Sequence, residues 1–187
     1  MIVKKGIFLF IILAIFSACS VRSVTSDYEL NKAFIEPINS FKSAKAFYSS
    51  PVSTPSNNVV IGGHDKYIYF FNKQGELIEK YKTKGWVHAS PTLLADSTIA
   101  IGSYDGYIYI FNENGILLKS FKPAAGSMFT SIIELPNRLL VFGSNKRGII
   151  FYNREDSTTH YYPVRKWVHG TPVKFDNDNI AIGSNDK

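Results

Sequence analysis

Ile99-Ala-Ile-Gly102-Ser-Tyr-Asp105-Gly106-Tyr-Ile-Tyr-Ile-Phe-Asn112-Glu-Asn-Gly115 is the stretch whose reading decides the fold. Two apolar runs flank Tyr104-Asp105-Gly106, and Glu113-Asn114-Gly115 ends the second run. Asp-Gly and Asn-Gly between apolar runs signal tight hairpins, because such turns need φ > 0 at their central residues. Tyr107 to Phe111 is apolar or aromatic at every position. A strand with one wet face would alternate, so this pattern predicts a sheet buried on both faces. Gly102 inside a strand predicts a bulge or a close backbone approach.

Copies of the stretch lie on both sides. The turn glycines Gly62, Gly102, Gly143 and Gly183 are 40, 41 and 40 residues apart. Asn72, Asn112 and Asn153 keep the step, as do Phe41, Tyr81, Phe121 and Tyr162. Pro51, Pro91 and Pro172 fall in register, with Ile132 in the remaining slot. The second unit predicts strands at Pro91–Leu94, Thr98–Ser103, Tyr107–Asn112 and Leu117–Lys122. Pro91 opens its strand, where a missing N–H is tolerated. Four-stranded antiparallel units with a fixed step of this size describe the blades of a β-propeller. A β-sandwich is the rival all-β arrangement, but it does not account for the step.

The N-terminus carries an address. Lys4 and Lys5 precede an apolar run, and Phe16-Ser17-Ala18 leads into Cys19. Basic start, apolar centre and small residues form the layout of a secretory signal peptide. The uncharged run from Gly6 to Val21 is 16 residues, shorter than the roughly 20 a membrane span needs. Cys19 is the single cysteine of the chain, so an internal disulfide is excluded. Ser17-Ala18-Cys19 resembles the lipobox of bacterial lipoproteins, in which the cysteine is acylated. Phe16 departs from it, since Leu is usual there. Ser20 is not the Asp associated with inner-membrane retention, which favours the outer membrane, facing the periplasm. Residues 1–18 are thus expected to be a signal peptide, 19–37 a lipidated cysteine and tether, and 38–187 propeller blades. The net charge is +6 at pH 7, scattered with no basic run longer than two residues. Nucleic-acid binding calls for a basic stripe or patch in the sequence, and none is visible.

The run from Ser90-Pro91 to Gly115 resembles the PQQ-like (pyrroloquinoline quinone) propeller repeat: Ser-Pro, strand, Gly-Ser-x-Asp-Gly, strand ending in Asp or Asn, then Gly. The resemblance covers residues from about 39 to 187. The family includes quinoprotein alcohol dehydrogenases and the propeller lipoprotein of the outer-membrane β-barrel assembly machine. It often has a blade-docking Trp where Glu79 and Lys119 stand here; the aromatic comes two residues later, at Tyr81 and Phe121. In the third unit Arg154-Glu-Asp-Ser replaces the Asn-Gly turn. The dehydrogenases of this family use a vicinal Cys pair and a calcium site. Cys19 alone cannot form the pair, and no nucleophile or zinc motif occurs. No catalytic residue, metal ligand set or cofactor is expected. The resemblance implies a non-enzymatic, lipid-anchored protein-binding or assembly scaffold in the bacterial cell envelope. The alternatives are a fragment of a periplasmic PQQ-dependent dehydrogenase-like enzyme and a ligand- or metal-binding propeller.

Ile38–Lys42 aligns with Leu118–Lys122, so the repeat is entered on the last strand of a blade. It is left after two strands, Thr171–Phe175 and Asn179–Ser184. Closed propellers have about four to eight blades. The expected ring is incomplete, truncated at the C-terminus; a four-blade ring closed by the end strands is the alternative. The candidate ligand-binding residues are His88 and His169, in Trp86-Val-His88 and Trp167-Val-His169, at equivalent places two units apart. Tyr48 and Phe129 fill the same slot elsewhere. These imidazoles would bind a metal or an anion at the channel mouth, or pack as inherited copies. Trp86 and Trp167 would form an aromatic lip for partners, or pack between blades. Asp176-Asn-Asp178-Asn resembles part of a calcium loop but lacks its Gly and Glu, and reads as a turn.

Overall fold

The computed structural model describes residues 20–24, 37–123, 126–146, 148–175 and 179–185. Cys19 and the Asp176–Asp178 segment lie outside them. The protein is all-β, with one short 3₁₀ turn at Pro136–Arg138.

Strands β1 (Ser20–Val24) and β2 (Pro37–Lys42) pair as an antiparallel half-blade. The first blade holds β3 (Val52–Ser53), β4 (Val59–Gly62), β5 (Tyr67–Phe71) and β6 (Leu77–Lys82). In the second are β7 (Thr92–Leu93), β8 (Ile99–Gly102), β9 (Ile108–Phe111) and β10 (Leu117–Phe121). The third consists of β11 (Ile133–Leu135), β12 (Leu139–Ser144), β13 (Gly148–Asn153) and β14 (Thr159–Pro163). A second half-blade, β15 (Val173–Lys174) and β16 (Ile180–Ala181), follows. Within each blade the strands pair antiparallel in chain order. The all-β propeller of four-stranded blades is therefore the observed fold. The tether expected after Cys19 is in part a strand: Ser20–Val24 pairs with β2.

Burial follows the patterning. β4, β8 and β9 are buried at every position, whereas β6 lies at the outer surface. One core cluster runs through Phe70, Val87, Ile101 and Phe111, joining blades one and two. Another runs through Ile108, Met128, Phe142 and Tyr152, joining blades two and three. Blade docking is made by the aromatic series two residues beyond the usual Trp position. Tyr81 meets Phe111 at 5.2 Å, Phe121 stacks on Tyr152 at 4.1 Å, and Phe41 meets Phe71 at 5.1 Å.

The strand glycines permit a close approach. A Cβ on Gly62 would collide with Val87 Cγ1, and one on Gly143 with Val168 Cγ1. Each valine is the middle residue of a Trp-Val-His joint that plugs into the preceding blade, and Met128 does the same at Gly102, where a Cβ would lie 2.7 Å from its Cβ. The hydroxyl residue before each first strand, Ser50, Ser90, Ser131 or Thr171, takes part in a belt. Ser50 N–H donates to Ser90 Oγ at 2.8 Å, Ser90 N–H to Ser131 Oγ at 3.1 Å, and Ser131 N–H to Thr171 Oγ1 at 3.3 Å. This belt ties the innermost segments from blade to blade, at about 1 kcal/mol net per bond.

The hairpin turns differ in type from the expectation. Gly75 and Gly115 have φ of 76° and 84°, but Asn114 and Gln74 are not left-handed. Gly115 N–H donates to Asn112 O and Asn112 N–H to Ile116 O. This is a type I turn followed by a left-handed glycine, with one such residue rather than two. Asn112 Oδ1 accepts from the N–H groups of Asn114 and Ile116, which explains why Asn recurs there.

Candidate functional site

Antiparallel order puts the joints between blades and the turns between second and third strands at one end of the propeller. The backbone locks these two loop types together. His64 N–H donates to Ala46 O at 3.0 Å, Tyr104 N–H to Trp86 O at 2.8 Å, and Asn185 N–H to Trp167 O at 2.9 Å. The turn aspartates brace the same loops. Asp105 accepts from Tyr109 OH at 2.8 Å and Lys84 N–H at 2.9 Å; Asp65 accepts from Tyr69 OH at 2.6 Å. Burial, reinforced by these hydrogen bonds to carboxylates, pushes the Tyr69 and Tyr109 hydroxyl pKa values upward. Asp65 and Asp105 are thus engaged in scaffolding.

The locked loops display a continuous row of rings. Tyr48 stacks on His88 at 5.2 Å with planes 6° apart. His88 faces Tyr104 at 5.9 Å, Tyr104 meets Phe129 at 4.3 Å, and Phe129 stacks on His169 at 4.9 Å. Trp167 adjoins His169 at 5.7 Å. His64 packs against Trp86 at 4.2 Å and Tyr48 at 4.9 Å. Tyr48 is 60% exposed, Trp86 40% and Trp167 49%. Both tryptophans are partly solvent-exposed, and Trp86 also packs between His64 of blade one and Tyr104 of blade two, at 4.2 and 5.5 Å.

All four residues singled out from the sequence lie on this row, but His88 and His169 do not meet. Ring contacts run between them through Tyr104 and Phe129. The imidazole that neighbours His88 is His64, at 6.1 Å. His64 and Tyr104 escaped the sequence reading although they share one slot, two residues after the turn glycines Gly62 and Gly102; that shared slot was the available signal. His88 Nδ1 is buried without a hydrogen-bond partner. Burial, and then the charge of His169, lower the His88 pKa. Burial, His88 and Lys45 lower that of His64, with Asp65 opposing. Both shifts favour the neutral imidazole. Among the described residues no three His, Cys, Asp or Glu side chains are grouped to hold a metal ion.

Charge is segregated along the propeller axis. At the aromatic end the joints carry Lys45, Lys84, Arg165 and Lys166. The tips of the outer strands add Lys42, Lys82 and Lys122, and the turns add Lys66 and Lys146. The acids among the described residues there are Asp65 and Asp105. The opposite end holds Glu76, Asp96, Glu113, Glu134, Glu155 and Asp156 against Lys73, Arg138, Arg154 and Lys174. Such a dipolar distribution orients and accelerates encounters with an acidic surface. The sequence hid this basic end, because its charges come singly from many loops.

No family model matches the sequence. No curated protein matches it either. Solved structures share the fold. The chain is similar to Sqt1 of Saccharomyces cerevisiae, with TM-score 0.74 and 17% identity over 89% of this chain and 51% of that one. It is similar to BamB from Moraxella catarrhalis, with TM-score 0.66 and 16% identity over 95% and 56%. It also resembles the WD40 β-propeller domain of Doa1, with TM-score 0.68 and 16% identity over 88% and 57%. The chain spans about half the length of these structures.

Proposed function

We propose that the protein is a non-enzymatic scaffold of the bacterial cell envelope, anchored by acylation of Cys19, that binds a partner polypeptide through its aromatic, basic end. The observation that carries this reading is the exposed ring row set among lysines. Aromatic anchors surrounded by a polar rim are the composition of protein-binding surfaces. The basic excess selects an acidic partner surface. The fold-level likeness to BamB agrees with the scaffold reading.

The anchor and the recognition face fit together. Ser20 pairs with Lys42, so the chain enters the propeller at the aromatic end. An acyl group on Cys19 would hold that end close to the outer membrane, and the partner would be met near the bilayer surface. A photo-cross-linking residue at Tyr48 tests the reading in cells making the full chain, with Gln74 at the opposite end as the control. The expected result is one defined envelope-protein adduct from position 48, lost in Lys84→Glu, Lys166→Glu. Equal adducts from both positions, or none from position 48, would overturn it. Acyl labelling that persists in Cys19→Ala would overturn the anchor.

A second reading, a small-ligand site at the same row, is favoured by the unpartnered buried Nδ1 of His88. A zinc version is short of ligands, since such sites use three or four. Zinc titration of the wild type and of His88→Ala, His169→Ala discriminates: equal affinities would exclude it.

A further inference from the structure

The junctions between consecutive blades are not alike, and the difference opens a cavity at the end opposite the ring row. Between blades one and two the junction is closed. Phe70 meets Phe111 at 5.1 Å, and Tyr81 meets it at 5.2 Å. Gly115 sits so close that a Cβ there would lie 2.8 Å from both Glu79 Cβ and Phe70 Cδ2. Asn58 Nδ2 donates across to Glu113 O at 3.1 Å.

Between blades two and three, several of these positions have changed together. Ile110 stands where Phe70 stands, which removes a ring. Ser157, with φ of 61°, takes the left-handed place of Gly115, so a side chain stands where the glycine allowed the close approach. The turn is one residue longer: Asn153 N–H donates to Thr158 O, whereas Asn112 N–H donates to Ile116 O. Lys119 replaces Glu79, and Arg154 replaces Glu113. A cavity of about 250 Å³ lies at this junction.

The lining is two-sided. Ile110, Leu118 and the stacked rings of Phe121 and Tyr152 make it apolar, while Lys119 and Arg138 bring charge. Arg154 is already engaged, with Nη2 2.8 Å from Asp96 and Nη1 3.0 Å from Glu134. Lys119 Nζ instead donates to two neutral hydroxyls, Tyr152 OH at 3.2 Å and Ser157 Oγ at 3.4 Å. Arg138 reaches Asp96 only at 3.6 Å and its side chain is 55% exposed. Three cations thus face the two carboxylates Asp96 and Glu134, an excess of one positive charge. Asn137 and Arg138 both adopt left-handed backbone, with φ of 62° and 57°. Consecutive strained residues of this kind persist where surrounding structure holds them, and they cluster at ligand clamps.

We propose that this inter-blade cavity binds a medium-chain carboxylate, its head between Lys119 and Arg138 and its tail over Phe121 and Tyr152. At roughly 30 Å³ per non-hydrogen atom, the space one water takes in the liquid, the volume holds about eight atoms. Guanidinium and ammonium donors match a carboxylate head, and the aromatic floor matches an alkyl tail. The site lies away from the ring row, so it stands or falls independently of the partner-binding reading.

Titration calorimetry of the full chain with hexanoate, which has the eight non-hydrogen atoms the volume allows, tests the proposal. Saturable binding of one hexanoate per chain is expected, with hexan-1-ol at least about ten-fold weaker because it lacks the charge. Lys119→Gln should weaken hexanoate at least about ten-fold. Ile110→Phe should abolish binding by restoring the ring that fills the other junction, with thermal unfolding retained. No saturable binding to the wild type, equal affinity for the alcohol, or unchanged affinity in Lys119→Gln would overturn it. If Ile110→Phe does not fold, the first three outcomes decide.

Discussion

The plug of Val87 into Gly62 can be tested as a double-mutant cycle. Val87 is fully buried, and a Cβ on Gly62 would collide with its Cγ1 and lie 3.0 Å from its Cβ and carbonyl oxygen. Gly62→Ala forces a methyl into occupied space, at about 1–3 kcal/mol. Its φ is not left-handed, so this cost is steric. Val87→Ala removes two methyl groups at about 0.8 kcal/mol each. The residual cavity brings that loss to about 2 kcal/mol. In the double variant the added methyl occupies part of the space that the valine gave up. The combined loss should then fall short of the sum by about 1–2 kcal/mol, whereas independent sites add within about 0.5 kcal/mol. Urea unfolding of the full chain, followed by circular dichroism, measures all four corners. Additivity within about 0.5 kcal/mol, or a neutral Gly62→Ala, would refute the plug as the device that joins blades one and two.

Three further outcomes follow from particular residues. Lys66 has φ of 73° where the second blade has Gly106; Lys66→Gly should raise stability by about 1 kcal/mol, the left-handed penalty of a side chain, read as a higher unfolding midpoint. Tyr109→Phe leaves Asp105 without its hydroxyl donor, and should cost about 1.5–3 kcal/mol in the same assay, as bonds to charged groups do. The third concerns acid. Burial would raise the Asp96 pKa, but hydrogen bonds from Thr98 and Arg154 outweigh it and hold it at about 2, against an ordinary 3.8. A depressed folded-state value means stabilisation present above pH 3.8 and lost as pH falls toward 2. Solvent screening limits it to about 1 kcal/mol, and Asp96→Asn should flatten that part of the acid profile.

The repeat made the architecture legible. Its turn glycines, Asn112 and its equivalents, and the unbroken apolar strands each answer a local demand of backbone geometry or burial, and local demands are written in the residues that meet them. The belt serines and the plug valines were visible as recurring letters, but their purpose was not. Each acts on a residue 25 to 41 positions away, Gly62 on Val87 and Ser90 on Ser131.

The sequence by itself determined that this chain builds four-stranded blades with apolar centres, and drew attention to Trp86, His88, Trp167 and His169. Only the tertiary structure decided how those residues are used. Lysines and aromatic rings dispersed along the chain converge at one end because every blade turns the same two loop types toward it. Phe129 and Tyr104 stand between the two histidines that the repeat made equivalent, so the feature is a row of rings rather than a pair. The substitutions that set the second and third units apart, Ile110, Lys119 and Arg154 among them, gather around one cavity, because neighbouring blades meet across a junction that no single repeat contains.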